Sequence, residues 1–373
     1  MKIGFDAKRL FCNFTGLGNH SRTTIDILGA EYPETQMYLY TPRLTLNPTT
    51  QPYTTRRNCH LRTPQGIVKG SLWRTMAVSR EAQRDGIDLW HGLSNELPMG
   101  LKSRHIPSVV TIHDVAFHTF PDMYHRHDRM IYDLKWRYAC RNADQIIAIS
   151  QCTARDIVKY YGVDERKLNV VYQPVNSIYY QEPTTPNRKH PYMLYVGSVN
   201  SRKNLMGVVQ AMASIPESIR IPLVVVGDGG AYKRQVMEYV ESHRLTSMVE
   251  WRTAASHDEL RSLYTDATLF VYPSFYEGFG LPVVEASLCK CPVLTSSISS
   301  LPEAAGPHAV LVDPYDNSDI ARGMMKLLDS HELREQIGAD SRRYAMQTFS
   351  PSVLATNLMN VYHKTINRTD NTF

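Results

Sequence analysis

Apolar runs of four or five residues recur along almost the whole chain, and most are followed by a stretch patterned like a helix. That alternation constrains the fold more than any other feature. Parallel neighbouring strands need a crossover between them, and a helix supplies it. In the first half the strand-like runs are 2–5, 37–40, 89–91, 109–113, 145–149 and 169–172. Helical patterns over 18–28, 69–84, 124–141 and 153–161 separate them, the last with Ser150 as its expected cap. A polar, proline-rich stretch over 181–191 reads as a linker. A second series then starts, with strands at 193–196, 223–226, 248–251, 269–272 and 292–295 and helices at 205–213, 232–242, 258–264 and 282–288. The remainder is helical over 319–328, 332–347 and 353–365.

The expected fold is therefore α/β, with two Rossmann-like doubly wound domains facing across a cleft. The N-terminal domain is placed at 1–180, the linker at 181–191 and the second domain at 192–350. A final helical segment, 351–373, should pack back on the first domain. At 373 residues the chain is too long for one ordinary core, which agrees with two domains.

Tyr276-Glu277-Gly278-Phe279-Gly280-Leu281-Pro282-Val283-Val284-Glu285 carries the most chemistry. Its glycines allow a tight turn and close approach, and Pro282 suits a first helical turn. The amides of Phe279, Gly280 and Leu281 would then face an anion or a sugar hydroxyl at the positive end of a helix dipole. If most of the stretch is helical, Glu277 and Glu285 stand about 10–12 Å apart along the axis. A retaining glycosidase holds its carboxylates about 5 Å apart, so this spacing suits gripping two parts of one long ligand. A sugar nucleotide, with hexose hydroxyls at one end and ribose hydroxyls at the other, fits. The bland alternative is an amphipathic helix with a surface glutamate at each end.

Arg202 and Lys203 stand just before the first helix of the second series, where their charge adds to the helix dipole and suits a diphosphate. Thr15-Gly16-Leu17-Gly18-Asn19 follows the first strand, and Gly16 and Gly18 make a close-approach loop that is too short for a full dinucleotide fingerprint. His113 ends a buried strand at the expected cleft edge, and a structural histidine is an equal alternative there. His118, His125 and His127 lie among arginines and are expected to form a basic acceptor surface rather than a metal site. Val226-Gly227-Asp228-Gly229-Gly230 reads as a turn that comes near the nucleotide, or as turn chemistry alone.

Charge is uneven. Residues 1–185 carry 23 Lys and Arg against 17 Asp and Glu, a balance of +6, while 186–373 carry 18 against 19, a balance of −1. A basic half suits an anionic membrane or a pyrophosphate-bearing acceptor, but lacks the clustered pattern of a nucleic-acid binder. No apolar run reaches membrane-spanning length, and Met1-Lys2-Ile3-Gly4-Phe5-Asp6 reads as a strand rather than a signal peptide. A cytoplasmic location follows, peripheral at the inner face of the cell membrane. The six scattered cysteines are expected to be reduced thiols, mostly in the core.

Taken in order, TGLGN, TIHDV, GSVNSRKNL and YEGFGLPVVE resemble the retaining GT-B glycosyltransferases of family 4, particularly those assembling bacterial polysaccharides. The resemblance implies that Glu277 contacts donor-sugar hydroxyls and Glu285 the ribose. It implies that Arg202 and Lys203 clamp the diphosphate, that Gly16 approaches the donor phosphate, and that His113 approaches the sugar. Phe279, Gly280 and Leu281 would supply backbone contacts. The chain departs from relatives at Ser198 and at Asn19-His20.

The implied reaction moves a hexose, mannose or glucose, from a nucleotide sugar to a glycan or polyprenyl-pyrophosphate-linked acceptor. The implied route is a short-lived oxocarbenium ion with retention. No Asp-x-Asp occurs, so no metal and no cofactor beyond the co-substrate, GDP-mannose or a UDP-sugar, is expected. A UDP-sugar 2-epimerase and a non-catalytic sugar-nucleotide binder stay open as alternatives. Variants at Glu277, Glu285, Arg202 and Lys203 are expected to keep the parent melting temperature without ligand.

Overall fold

The computed structural model describes residues 1–186 and 190–370, and the chain divides into two compact units. The first unit runs from Met1 to Pro174 and resumes at Pro351. Its strands β1 (Lys2–Asp6), β2 (Gln36–Tyr40), β3 (Cys59–Arg62), β4 (Leu89–Gly92), β5 (Ser108–Ile112), β6 (Gln145–Ala148) and β7 (Leu168–Val170) form one parallel sheet, ordered β3-β2-β1-β4-β5-β6-β7. The helices before the break are α1 (Lys8–Cys12), α2 (Gly16–Glu31), α3 (Pro52–Thr55), α4 (Gly70–Leu72), α5 (Val78–Asp85), α6 (Ala116–Thr119), α7 (Arg126–Asn142) and α8 (Gln151–Tyr161).

Both faces of this sheet are covered, as near-continuous apolar strands require. Ile3, Phe5, Met37 and Leu39 point into one core, and Tyr40, Trp90, Val110 and Ile112 into the other, following the two-residue period of a strand. The Ser150 hydroxyl accepts from the Thr153 amide and caps α8.

The second unit spans Val175–Ser350. Its strands β8 (Met193–Val196), β9 (Leu223–Val226), β10 (Val249–Arg252), β11 (Leu269–Tyr272), β12 (Val293–Ser296) and β13 (Val310–Val312) form a second parallel sheet, ordered β10-β9-β8-β11-β12-β13. Its helices are α9 (Leu205–Ser214), α10 (Ala231–Ser242), α11 (His257–Asp266), α12 (Leu281–Leu288), α13 (Leu301–Ala305), α14 (Asn317–Asp329) and α15 (His331–Phe349). The last helix, α16 (Pro351–Asp370), belongs to the first unit and lies against α2, β4 and β5. Its Leu358, Met359, Val361 and Tyr362 join the core containing Phe5 and Leu89.

The break between units falls at Pro174, short of the expected residue 180. Ser177–Tyr180 forms a 3-10 turn that packs on α11 and α12. The Tyr179 hydroxyl is 3.1 Å from His257 Nδ1, and Tyr180 donates to the Phe349 carbonyl at 2.6 Å. These aromatic anchors bind the turn to the second unit. Of the expected linker, residues 187–189 lie outside the described residues, as do 371–373 of the final segment. Among the described residues, no helix is long and apolar enough to cross a membrane.

Candidate active site

Two asparagines place the basic pair of the second unit. Asn200 Oδ1 accepts from the Lys203 amide at 3.3 Å and caps a 3-10 turn over Ser201–Lys203. Asn204 follows in a left-handed conformation, φ 54°, and caps α9 by accepting from the Gly207 amide at 3.2 Å. Its Nδ2 donates to the Pro314 carbonyl at 2.8 Å. Arg202 and Lys203 are thereby fixed immediately before α9.

Glu277 reaches the same point from the loop after β11. The Phe275 amide donates to the Arg202 carbonyl at 2.9 Å, tying the two loops together. Arg202 Nη1 lies 3.1 Å from Glu277 Oε2, and Lys203 Nζ lies 3.3 Å from Oε1. Arg202 also donates to the Tyr276 carbonyl and Lys203 to the Tyr272 hydroxyl. Tyr272 in turn donates to Glu277 Oε1 at 2.8 Å, and Ser274 Oγ lies 3.2 Å from the same oxygen. The Glu277 side chain is only 12% exposed.

Burial would push its carboxyl up, but Lys203 and Arg202, helped by the Tyr272 hydroxyl, hold it down at about 2. It is an ionised acceptor at neutral pH and not a proton donor.

Backbone hydrogen bonds lock this carboxylate from the other side. The Glu277 amide donates to Ser299 Oγ at 2.9 Å, and the Ser299 and Ser300 hydroxyls both donate to the Glu277 carbonyl. Ser300 also reaches the Phe279 carbonyl at 2.8 Å. Tyr272, Ser274, Ser299 and Ser300 were not among the expected site residues. The run Ser296–Ser300 before Leu301-Pro302 was the available signal for the last two.

Only 281–288 is helical, so Glu277 precedes α12 in a loop and the expected helical separation of the two glutamates does not apply. Gly280 opens α12 at φ 122°, and a Cβ there would come within 2.9 Å of Leu301 Cδ2, so glycine is required on both counts. Leu281 begins the helix, with its amide at the positive end of the dipole. Phe279 itself is buried edge-on against Phe349, so it meets a ligand only through its backbone.

Glu285 has a different setting on α12. Its Oε2 accepts from the Tyr264 hydroxyl at 3.1 Å. Burial pushes its carboxyl up to about 8, outweighing the Tyr264 hydrogen bond and the charge of Lys203, which both pull it down.

Val226–Gly230 is packed for reasons of its own: a Cβ on Gly227 or Gly229 would strike the Gly197 or Val199 carbonyl at 1.9 and 2.0 Å. At Gly197, φ is 152° and a Cβ would come within 3.2 Å of Lys203 Nζ. Bare glycine there makes room for the lysine.

The expected residues of the first unit form a separate, uncharged group. The His113 ring is 4% exposed, with Nε2 2.9 Å from the Leu93 carbonyl and Nδ1 2.7 Å from Gln173 Nε2. That pairing fixes the proton on Nε2, leaving Nδ1 to accept from the Gln173 amide. Burial lowers its pKa to about 4. The Asn95 side chain accepts from the His113 amide at 2.8 Å. His20 stands edge-on to His113 with ring centroids 4.6 Å apart, buried and also lowered well below its ordinary value by burial.

Gly16 at the start of α2 faces open space, whereas a Cβ on Gly18 would strike the Asn13 carbonyl at 1.7 Å. The Gly18 amide is also used, donating to Asn13 Oδ1 at 3.0 Å. Gly16 keeps the geometry for close approach; Gly18 is spent on packing. His118 departs from the expected basic surface: it stacks on Tyr160 at 4.5 Å and lies 3.1 Å from Asp133. His125 and His127 remain outward at the start of α7.

The glutamate, arginine and lysine of the second unit thus meet in one buried ion cluster of net charge +1. This geometry sets a different expectation from unchanged melting for variants of Glu277, Arg202 and Lys203. Removing the Glu277 charge would leave two cations without their carboxylate, and removing either cation would leave Glu277 with one cation instead of two, so each change costs charge-assisted contacts worth about 1.5–3 kcal/mol.

The sequence profile of the glycosyl transferases group 1 matches residues 179–344, and that of glycosyltransferase family 4 matches residues 31–177. O-antigen chain mannosyltransferase B of Escherichia coli is 31% identical over 296 residues, covering 75% of this chain and 76% of that protein. Serotype-specific mannosyltransferase WbdA of the same species is 32% identical over 53% of this chain, which spans 26% of that longer protein. The crystal structure of HepE from Anabaena in complex with UDP superposes with a TM-score of 0.77 at 16% identity, covering 98% of this chain and 100% of that one. The chain belongs to the family 4 glycosyltransferases, of GT-B fold, and is a glycosyltransferase.

Proposed function

We propose that the chain transfers mannose from GDP-mannose, ahead of UDP-glucose as donor, to a glycan or polyprenyl-pyrophosphate-linked acceptor, with retention and without a metal. In this reading it acts in surface-polysaccharide assembly at the inner face of the cell membrane. The observation that carries the reading is the Arg202–Glu277–Lys203 cluster. Its cations suit a diphosphate, and its ionised carboxylate suits donor-sugar hydroxyls. The O-antigen mannosyltransferases among its relatives support the sugar and the setting, and favour transfer over 2-epimerisation or simple binding.

Arg202 and Lys203 hold the diphosphate and stabilise the charge that grows on it as the bond to the anomeric carbon breaks. Glu277 orients the hexose, and Glu285 accepts from the ribose hydroxyls. The amides of Phe279, Gly280 and Leu281 meet the sugar at the start of α12. Gly16 lets the first unit's loop approach the donor phosphate, while His113 borders the sugar as a neutral ring. The acceptor oxygen bonds to the anomeric carbon on the face the phosphate leaves, and its proton passes to the departing phosphate oxygen.

Thermal melts with GDP-mannose, UDP-glucose, UDP-galactose and free GDP test the donor. Saturation at 100 times the dissociation constant adds about 2.7 kcal/mol. GDP-mannose should stabilise most, and turnover should survive EDTA. A preference for UDP-glucose reverses the donor assignment. Loss of turnover with EDTA, restored by manganese, overturns the metal-free reading.

A further inference from the structure

The strand order of the first sheet reverses at β1: β2 and β3 lie to one side of it and β4 to β7 to the other. In a doubly wound sheet such a switch point opens a crevice at the carboxyl ends of the two central strands, where ligands bind. Those ends are Asp6, Lys8 and Arg9 at the close of β1, and Glu96 in the loop after β4. His113 follows β5, and its ring is tied back to the Leu93 carbonyl in that same loop.

The two acids are already committed. A π-helical turn over Trp73–Ala77, between α4 and α5, buries Arg74. Its Nε lies 2.8 and 3.0 Å from the Asp6 carboxylate oxygens, and its Nη1 pairs with Glu96. Lys135 of α7 lies 3.5 Å from the other Glu96 oxygen. Lys8 and Arg9 have no such partner. Both are half-buried, yet among the described residues no hydrogen bond or ion pair holds either side-chain cation. Lys8, Arg9, Arg74 and Lys135 thus face two carboxylates, an excess of two positive charges.

The excess is felt at both free cations. Burial and the charges of Arg74 and Arg9 lower the Lys8 pKa, against the opposing pull of Glu96 and Asp6. His113 is lowered first by burial and further by the charge of Arg9, so that guanidinium stands near the ring. A lysine whose pKa falls on folding destabilises the fold wherever it is charged, so Lys8 is not there for stability. Crowded, unpaired cations in a ligand crevice are the kind of local conflict that function explains.

We propose that Lys8 and Arg9 hold a phosphate of the acceptor, so that the enzyme takes a phosphate- or pyrophosphate-linked acceptor in preference to a neutral glycan. This rests on the transfer reading above and chooses between its two acceptor classes. The donor brings the other phosphates of the reaction, and in that reading Arg202 and Lys203 already answer them.

The test is isothermal titration of the full chain with inorganic pyrophosphate, after GDP has filled the donor site. The parent should bind it. Lys8→Gln and Arg9→Gln should each weaken that binding about tenfold, the low end for contacts to charged groups because both side chains are partly exposed, with melting temperature retained. Lys8→Arg and Arg9→Lys should keep the binding. So should Arg57→Gln, which removes an exposed arginine just before β3, at the opposite edge of the sheet. Titration with GDP alone separates the two sources of phosphate: its affinity should fall far less in the glutamine variants than that of pyrophosphate. Decyl mannosyl pyrophosphate should bind the GDP-filled parent at least about tenfold tighter than decyl mannoside, and the double glutamine variant should close that gap. No pyrophosphate binding to the GDP-filled parent, an equal loss of GDP affinity, or equal affinity for the two mannosyl probes would each overturn the proposal. Every arm reads binding rather than turnover, so failure here is distinct from failure of the proposed transfer.

Discussion

The two units treat their expected site residues in opposite ways. In the second, Glu277, Arg202 and Lys203 are gathered into a mostly buried ion cluster, in which the two cations hold the carboxylate ionised. In the first, burial keeps His91, His113 and His20 neutral, and hydrogen bonds to Tyr362, Thr111, Leu93 and Gln173 hold the first two rings in place. One unit is organised to meet charge; the other surrounds its expected site residues with uncharged rings.

The clamp offers the largest test of this contrast. Lys203→Ala or Arg202→Ala should slow turnover roughly ten- to more than a hundredfold, since contacts to charged groups are worth about 1.5–3 kcal/mol. The loss should appear in kcat as well as KM, because charge grows on the leaving phosphate. Glu277→Gln should also lower kcat, and all three variants should melt below the parent. A fully active Glu277→Gln enzyme would remove the sugar assignment.

Glu285 sharpens the contrast inside the second unit. Its carboxyl, raised to about 8, is protonated at neutral pH, whereas ribose hydroxyls are better accepted by a carboxylate. Donor binding should therefore release a proton, and affinity should tighten by up to about tenfold per pH unit before levelling near pH 8. Isothermal titration in buffers of different ionisation enthalpy measures that proton. Glu285→Gln should bind more weakly and without this dependence; unchanged proton release in that variant would assign it to another group.

The smallest expected effect sets the units against each other directly. The histidines of the first unit have pKa values lowered below 6.5, so the stability they contribute is present above that value and lost as pH falls toward 4. Glu285 has the opposite sign: its raised pKa makes the second unit lose stability as pH rises from about 4.5 through 8. Glu277 loses its contribution as pH falls from about 4.5 through 2. Between pH 7.5 and 5, hydrogen exchange corrected for intrinsic rate should show amides of β4 and α16 losing protection relative to those of β11 and α12. The reverse order would contradict the assignment of these burial effects.

The inner strands were legible in the sequence because parallel strands covered on both faces are continuous apolar runs, as in Leu223–Val226 and Leu269–Tyr272. The edges were not. β3 is the half-buried Cys-His-Leu-Arg and β13 only three residues, so neither carries a pattern that separates it from a loop. The π-helical turn was hidden inside one long helical pattern, since nothing in Trp73–Ala77 breaks the periodicity. Glu277, Arg202 and Lys203 stood out by residue type and local spacing. Ser299 and Ser300 reach Glu277 from 22 and 23 residues along the chain, and Gln173 reaches His113 from 60. Beyond the serine run itself, nothing local in the sequence pairs residues at that range.

His91 Nδ1 lies 2.7 Å from the Tyr362 hydroxyl, a pair 271 residues apart, and the second unit is inserted between them. Synthesis therefore delivers the parts of the first unit at opposite ends of its schedule. The second unit is complete in one continuous stretch, whereas the sheet that precedes it must wait for α16, which follows the second unit, to cover the side of Phe5, Leu39 and Leu89. Over that interval the nascent chain carries an unfinished apolar surface, the condition in which aggregation and chaperone capture compete with folding. The contact of His91 with Tyr362 therefore forms only after the whole second unit has been made.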